Sequence, residues 1–224
     1  MRDLILFDFG GTLDADGERW SVRFHRAYQA VGGQLGFEDF EPWFRRSDSM
    51  LAAYPTIASA GFDKLVGAQA EILAGLIPDA RGLPMHSAAR TFAAETRQTI
   101  ARNRRILSQI KQRYRLGIVS NFTGNLTACL AELELGDLFD VVADSGAIGI
   151  EKPDPAIFRW AVSEVAPAPT GVWMVGDNFD ADIRPAAALG FKTCWIAPVE
   201  RPEPSPGVAT DRVAAFPELL PLFS

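Results

Sequence analysis

Four short segments, far apart in the chain, each set a polar residue where an apolar run stops: Asp8 after LILF, Ser120 after LGIV, Lys152 in EKPDP and Asp177 after VWMVG. An aliphatic run without alternation is how a strand buried on both faces reads, and burial on both faces belongs to a parallel sheet covered by helices. Ligands of such sheets bind outside the carboxyl ends of the strands. The four polar residues therefore describe one site along one sheet edge.

The rest of the chain agrees with that sheet. Leu4 to Phe9, bounded by Gly10-Gly11, reads as the first strand, and Leu116 to Val119, Val141 to Ala143, Val172 to Val175 and Phe191 to Ile196 read as others. Between them Leu126, Leu130 and Leu133 share one helical face, as do Phe158, Val162 and Val165, so strands alternate with helices. From Gly17 to Thr99 the pattern changes to long helical stretches such as Trp20 to Val31 and Lys64 to Ile77, divided by Gly32-Gly33 and Gly82-Leu83-Pro84. The expected fold is α/β, a Rossmann-like parallel sheet flanked by helices with an inserted α-helical cap. Residues 1–16 and 100–224 form the core domain and residues 17–99 the cap. The proline-rich stretch Ala197 to Gly207 reads as a loop.

Bulk properties exclude some functions. With 48% apolar residues in 224, the chain can bury a full core in one large or two modest domains. A formal charge of −6 argues against a generalised grip on nucleic acid or an acidic membrane, which needs an exposed basic field. The partner expected is a small molecule, with no nucleic acid and no membrane; the oligomeric state is left open. Cys129 and Cys194 are the two cysteines, which suggests no disulfide framework and a reducing, cytoplasmic setting. The run Leu4 to Phe7 is too short for a signal peptide or a membrane span.

The motifs carry the chemistry. Asp8 stands at the carboxyl end of a strand, and Gly10-Gly11 lets a ligand come close to the backbone. Asp177 and Asp182, in GDNFDADI, add two carboxylates after another strand; three carboxylates suit a hard, oxygen-preferring cation such as Mg2+. Asp177 or Asn178 also suits the N-cap of a helix reaching Leu189, while Asp180 reads as solvent-facing. Ser120 and Asn121 offer a hydroxyl, an amide and backbone N–H groups to an anion. Lys152, before Pro153 and Pro155, sits in a stiff setting from which it offsets charge on a transferring group.

In order and spacing these segments resemble the motifs of the haloacid dehalogenase superfamily, whose members are mostly phosphatases: Asp8-Phe9-Gly10-Gly11-Thr12-Leu13 the first, Ser120 the second, Lys152-Pro153 the third, and Gly176-Asp177 through Asp182 the fourth. The resemblance spans Leu4 to about Ile196, and the helical insertion resembles the α-helical cap of the dehalogenase and phosphoglycolate phosphatase branch. It implies Asp8 as a nucleophile forming an aspartyl intermediate, with Lys152 and Ser120 as its catalytic companions. It also implies Mg2+ held by Asp8, the backbone carbonyl of Gly10, Asp177 and Asp182, and a phosphoryl group bound by Thr12, Ser120, Asn121 and Lys152.

One position departs from the family. Its phosphatases carry a second aspartate where this chain has Gly10, and that aspartate protonates the leaving oxygen. A positioned acid/base contributes about 10²–10⁴ in rate. Asp14 reads as a turn or cap residue, not a substitute. The leading expectation is a magnesium-dependent phosphatase acting on a small phosphorylated metabolite, with an acyl or aryl phosphate needing least acid assistance. The alternative is a pseudoenzyme that binds a phosphorylated ligand or protein partner. Dehalogenase-like chemistry ranks lower because Asp177 and Asp182 are present. Phosphonatase-like chemistry ranks lower because the cap lysine, Lys64, lies in an unlike setting. Trp20, Arg23, Arg45 and Arg46 are candidate cap contacts for substrate.

Overall fold

The computed structural model describes residues 2–54 and 56–224. Strand β1 (Leu4–Phe7) is followed by a tight turn, Phe9–Leu13, and then by four helices: α1 (Trp20–Ala30), α2 (Phe37–Ala52), α3 (Phe62–Leu76) and α4 (Met85–Ile110). The chain continues through β2 (Arg115–Ser120), α5 (Leu126–Glu132), β3 (Val141–Asp144), a single helical turn α6 (Ser145–Ile148), α7 (Pro155–Ser163) and β4 (Val172–Gly176). It closes with α8 (Arg184–Ala188), β5 (Lys192–Ile196), β6 (Asp211–Val213) and α9 (Leu219–Phe223). Among the described residues the strands form one parallel sheet in the order β3-β2-β1-β4-β5-β6.

Strand β1 lies in the middle and each of its four residues is fully buried. Ile5 and Phe7 pack on one face with Ile118, Val175 and Phe216, and Leu4 and Leu6 on the other with Ile157, Phe158 and Met174. That two-sided cover is the reason LILF does not alternate. Full burial of each such side chain stabilises the fold by about 1.5–3 kcal/mol. Register then fixes the site edge. Phe7 pairs with both Ile118 and Val175, so Asp8 leaves β1 one residue short of the level at which Ser120 and Asp177 leave β2 and β4.

Several boundaries differ from the sequence reading. The first strand ends at Phe7, because Phe9 already belongs to the turn in which Gly11 takes φ +93. The helix expected from Asn178 to Leu189 is broken: a tight coil, Phe179–Ile183, precedes α8, and Asn178 caps that coil by accepting from the N–H groups of Asp180 and Ala181. Strand β6 has no counterpart in the sequence pattern because DRV is short and polar. Leu126, Leu130 and Leu133 are buried as expected, whereas Val162 is only partly covered. Helix α4 runs without interruption through residues 99 and 100. The region Ala197 to Gly207 holds no helix or strand. Cys129 and Cys194 are free and buried, and burial pushes both thiols up to about 12. No described helix is long and apolar enough to cross a membrane.

Candidate active site

Asp8 closes β1 in extended backbone, φ −72 and ψ 160, and its N–H still donates to Val175 O at 2.9 Å, so the sheet itself holds the carboxylate. Its Oδ1 accepts from Ser120 Oγ at 3.0 Å and from Lys152 Nζ at 2.6 Å. Its Oδ2 has one long contact, Thr12 Oγ1 at 3.4 Å. Lys152 Nζ also donates to Asp182 Oδ1 at 2.6 Å, which places one ammonium between two carboxylates. Burial alone would lower the lysine pKa, but Asp182 and Asp8 more than offset it and the ammonium stays charged.

Asp177 completes the cluster. Oxygens of Asp8, Asp177 and Asp182 lie within 4.8 Å of one another, and all three residues are buried. Desolvation, then the charges of Asp8 and Asp182, raise the Asp177 carboxyl well above its ordinary range. Asp182, fully buried, is likewise raised by desolvation even though Lys152 opposes the rise. Three buried carboxyl groups share one buried ammonium, so ionising all three leaves an excess of negative charge that only a further cation would relieve. Its donors are hard oxygens. Both features fit a divalent cation such as Mg2+. Two glycines make room for this crowding: a β-carbon on Gly11 would stand 2.9 Å from the Asp177 carboxyl, and one on Gly176 would meet the Asp182 side chain.

The remaining expected residues fall nearby in different ways. Thr12 is fully buried; its hydroxyl faces Asp177 Oδ1 at 3.2 Å and accepts from the Asp177 N–H at 3.1 Å. Asn121 uses its amide on the backbone of Lys152, donating to the carbonyl at 2.9 Å and accepting from the N–H at 2.7 Å, and thereby aims the lysine loop. Asp180 is exposed and pairs with Arg184 on the surface. Lys64 is exposed on α3.

Asp14 serves the turn, as expected, but it does more. Its Oδ1 accepts from the Gly11 N–H at 2.7 Å, and its Oδ2 accepts from Trp20 Nε1 at 2.6 Å and from Arg23 at 2.7 Å. Arg23 is therefore no cap contact for substrate: it is 3% exposed, paired with Asp14, and bonded to Thr96 Oγ1. Arg45 is exposed and pairs with Glu41.

A cavity of about 450 Å³ opens above the cluster, between the sheet edge and the helices. Asp8, Gly10, Lys152, Asp177 and Asp182 line its floor, while Trp20, Leu51, Leu65 and Asp48 line it from the helical side. The Trp20 ring packs edge-on against Phe92 at 5.1 Å and Phe122 at 6.0 Å, tying the helices to the sheet edge. Sequence reasoning did not single out Asp48 or the Asp14–Arg23 pair. Only the chain's path brings these residues to the site, and no local pattern marks them.

The family model described as haloacid dehalogenase-like hydrolase matches residues 2–190. Over 134 residues the chain is 33% identical to the phosphoserine phosphatase of Thermus thermophilus, a match covering 59% of this chain and 49% of that one. Over 116 residues it is 31% identical to the pyrimidine 5′-nucleotidase YjjG of Escherichia coli, covering 51% of this chain and 52% of that protein. The chain thus spans about half the length of these relatives. In fold it resembles the HAD-hydrolase YfnB of Bacillus subtilis, solved bound to magnesium, with a TM-score of 0.61, 18% identity, and coverage of 100% of this chain and 99% of that one.

Proposed function

Because this chain belongs to the haloacid dehalogenase-like hydrolase family, we propose that it is a magnesium-dependent phosphatase acting on a small phosphorylated metabolite through an aspartyl-phosphate on Asp8. The observation that carries this reading is the pair of 2.6 Å contacts from Lys152 Nζ to Asp8 and Asp182, with Asp177 beside them. Asp8 attacks phosphorus, the bond to the leaving oxygen breaks, and water then releases phosphate from the aspartyl intermediate. Lys152 offsets the charge of the transferring group and the Ser120 hydroxyl hydrogen-bonds it. Thr12 sets the spacing of Asp8 and Asp177. The residues that would hold magnesium are Asp8, Asp177, Asp182 and the Gly10 carbonyl; the bound ion supplies charge neutralisation at the phosphoryl oxygens.

Gly10 provides no proton, so acyl and aryl phosphates are the substrates least affected. Helices from residues 17–99 act as the cap that selects among them, over a core of residues 1–16 and 100–224. A net charge of −6 fits a small-molecule partner better than nucleic acid, and two buried free cysteines fit a reducing, cytoplasmic setting. A second reading is favoured by the Trp20 ring beside Gly10: a protein that binds a phosphorylated ligand without turnover. A panel of phosphate monoesters and acyl phosphates, assayed with and without magnesium and joined by chloroacetate and phosphonoacetaldehyde, separates these. Turnover of phosphates that requires magnesium and falls to background in Asp8→Asn supports the first reading; ligand binding without turnover supports the second.

A further inference from the structure

The leaving oxygen of a phosphate ester needs a proton, and the turn that carries Asp8 has none to give. Gly10 lacks a side chain, and Asp14 is fully buried and held by Gly11, Trp20 and Arg23. Of the carboxylates that line the cavity, Asp8, Asp177 and Asp182 form its floor cluster, and Glu151 lies on the open rim. Asp48, on α2, is the one presented from the helical wall.

We propose that Asp48 is the general acid and base of this site, supplied by the cap in place of the residue that Gly10 omits; this rests on the phosphatase reading above. Its carboxyl is held on one side. Gln69 Nε2 donates to Asp48 Oδ1 at 2.9 Å, and the same amide nitrogen is fixed by Ser47 Oγ at 2.6 Å. Gln69 is 1% exposed and its Oε1 has no hydrogen-bond partner among the described residues. That oxygen gives the amide spare capacity to accept from a protonated neighbour after a flip.

The charged groups that share the cavity are already engaged elsewhere: Arg19 with Glu41, and Lys152 with Asp8 and Asp182. Glu151 lines it without bonding Asp48, and on α2 itself Arg45 turns to Glu41. No cation among the described residues therefore holds Asp48 ionised. Asp48 is exposed and open to the cavity, and the crowding of protein around its carboxyl pushes it up to about 7, against the hydrogen bond from Gln69. Water in the cavity screens part of that effect. The upward direction is what an acid working near neutrality requires.

The chemistry balances in two steps. As Asp8 bonds to phosphorus, the P–O bond to the leaving group breaks and its electron pair takes the Asp48 proton, leaving Asp48 a carboxylate. Asp48 then takes a proton from the attacking water as the P–O bond to Asp8 breaks, which frees phosphate and restores the acid.

The test compares wild type, Asp48→Asn and Asp48→Glu, each with magnesium, on p-nitrophenyl phosphate and on an alkyl phosphate monoester. Circular dichroism and melting curves establish that each variant is folded. The expected result is a loss of about 10²–10⁴ on the alkyl ester in Asp48→Asn, a far smaller loss on the aryl ester, disappearance of the basic limb of the alkyl pH profile, and partial recovery in Asp48→Glu. Equal losses on both esters, or none on the alkyl ester, overturn the assignment while leaving the phosphatase reading in place. Wild-type protein that turns over neither ester overturns both.

Discussion

Trp20 Nε1 lies 3.3 Å from the point where a β-carbon on Gly10 would stand, and the same N–H donates to Asp14 Oδ2 at 2.6 Å. The backbone at Gly10, φ −77 and ψ 113, is open to any residue. What resists a side chain at position 10 is an indole ring already anchored by its own hydrogen bond. Gly10→Asp is therefore expected to lose about 1–3 kcal/mol of stability through overpacking. In the Gly10→Asp/Trp20→Phe double variant the two losses should couple by about 0.5–3 kcal/mol. Chemical denaturation of the four proteins of the cycle measures this; strict additivity would show that the ring and the added carboxylate do not meet.

The Asp14–Arg23 pair is a structural anchor. Asp14 is raised by desolvation and held down by Arg23, its Gly11 bond and its Trp20 bond. Removing one partner strands a buried charge, so Arg23→Leu is expected to cost about 3–5 kcal/mol. Asp14→Leu/Arg23→Leu should cost less than the sum of the single changes. Urea midpoints of the three variants check it.

Lys152→Met removes the cation between Asp8 and Asp182. In chelator the variant should melt below wild type, and added magnesium should raise its melting temperature by more than it raises that of wild type, since the ion then offsets repulsion that the lysine no longer does. Asp177→Asn should show the opposite, a weakened response. Thermal scans across a magnesium titration decide both.

The pH dependence of stability has a definite sign at Asp48. Its folded pKa, up to about 7, stands above the ordinary value of 3.8, so between these values the folded protein binds more protons than the unfolded chain. Stability from this residue is present below pH 3.8, declines as pH rises toward about 7, and is lost above it. Asp48→Asn should therefore be relatively more stable than wild type at pH 8 than at pH 5, by an amount reduced by cavity water. A difference in melting temperature that stays constant between those pH values would contradict the shift.

Much of the fold was legible because its strands are short buried runs. LILF and VWMVG read as central strands for the reason they are central: helices cover both faces, and no polar residue interrupts either run. The structure likewise gathers Asp8, Thr12, Ser120, Lys152, Asp177 and Asp182, because each follows a strand end or sits in a turn fixed by glycine or proline. Other features were not legible. DRV has too little apolar character to announce an edge strand. The break after Asn178 follows from Asp182 turning back to accept from the Asn178 N–H at 3.0 Å, a local hydrogen bond that competes with regular helix. Arg23 looks like a surface arginine until its partners, Asp14 and Thr96, are known, and Asp48 is an exposed side chain marked only by the cavity it lines, which distant sequence assembles.

The central claim is that Asp8 takes the phosphoryl group. Mixing the protein with magnesium and an acyl phosphate, quenching in acid during turnover and mapping the peptides by mass spectrometry tests it directly. The account predicts a phosphoryl group on the peptide carrying Asp8, removable by hydroxylamine and missing from Asp8→Asn. Magnesium-dependent turnover with Asp8 unlabelled, or a wild-type rate in Asp8→Asn, would contradict it.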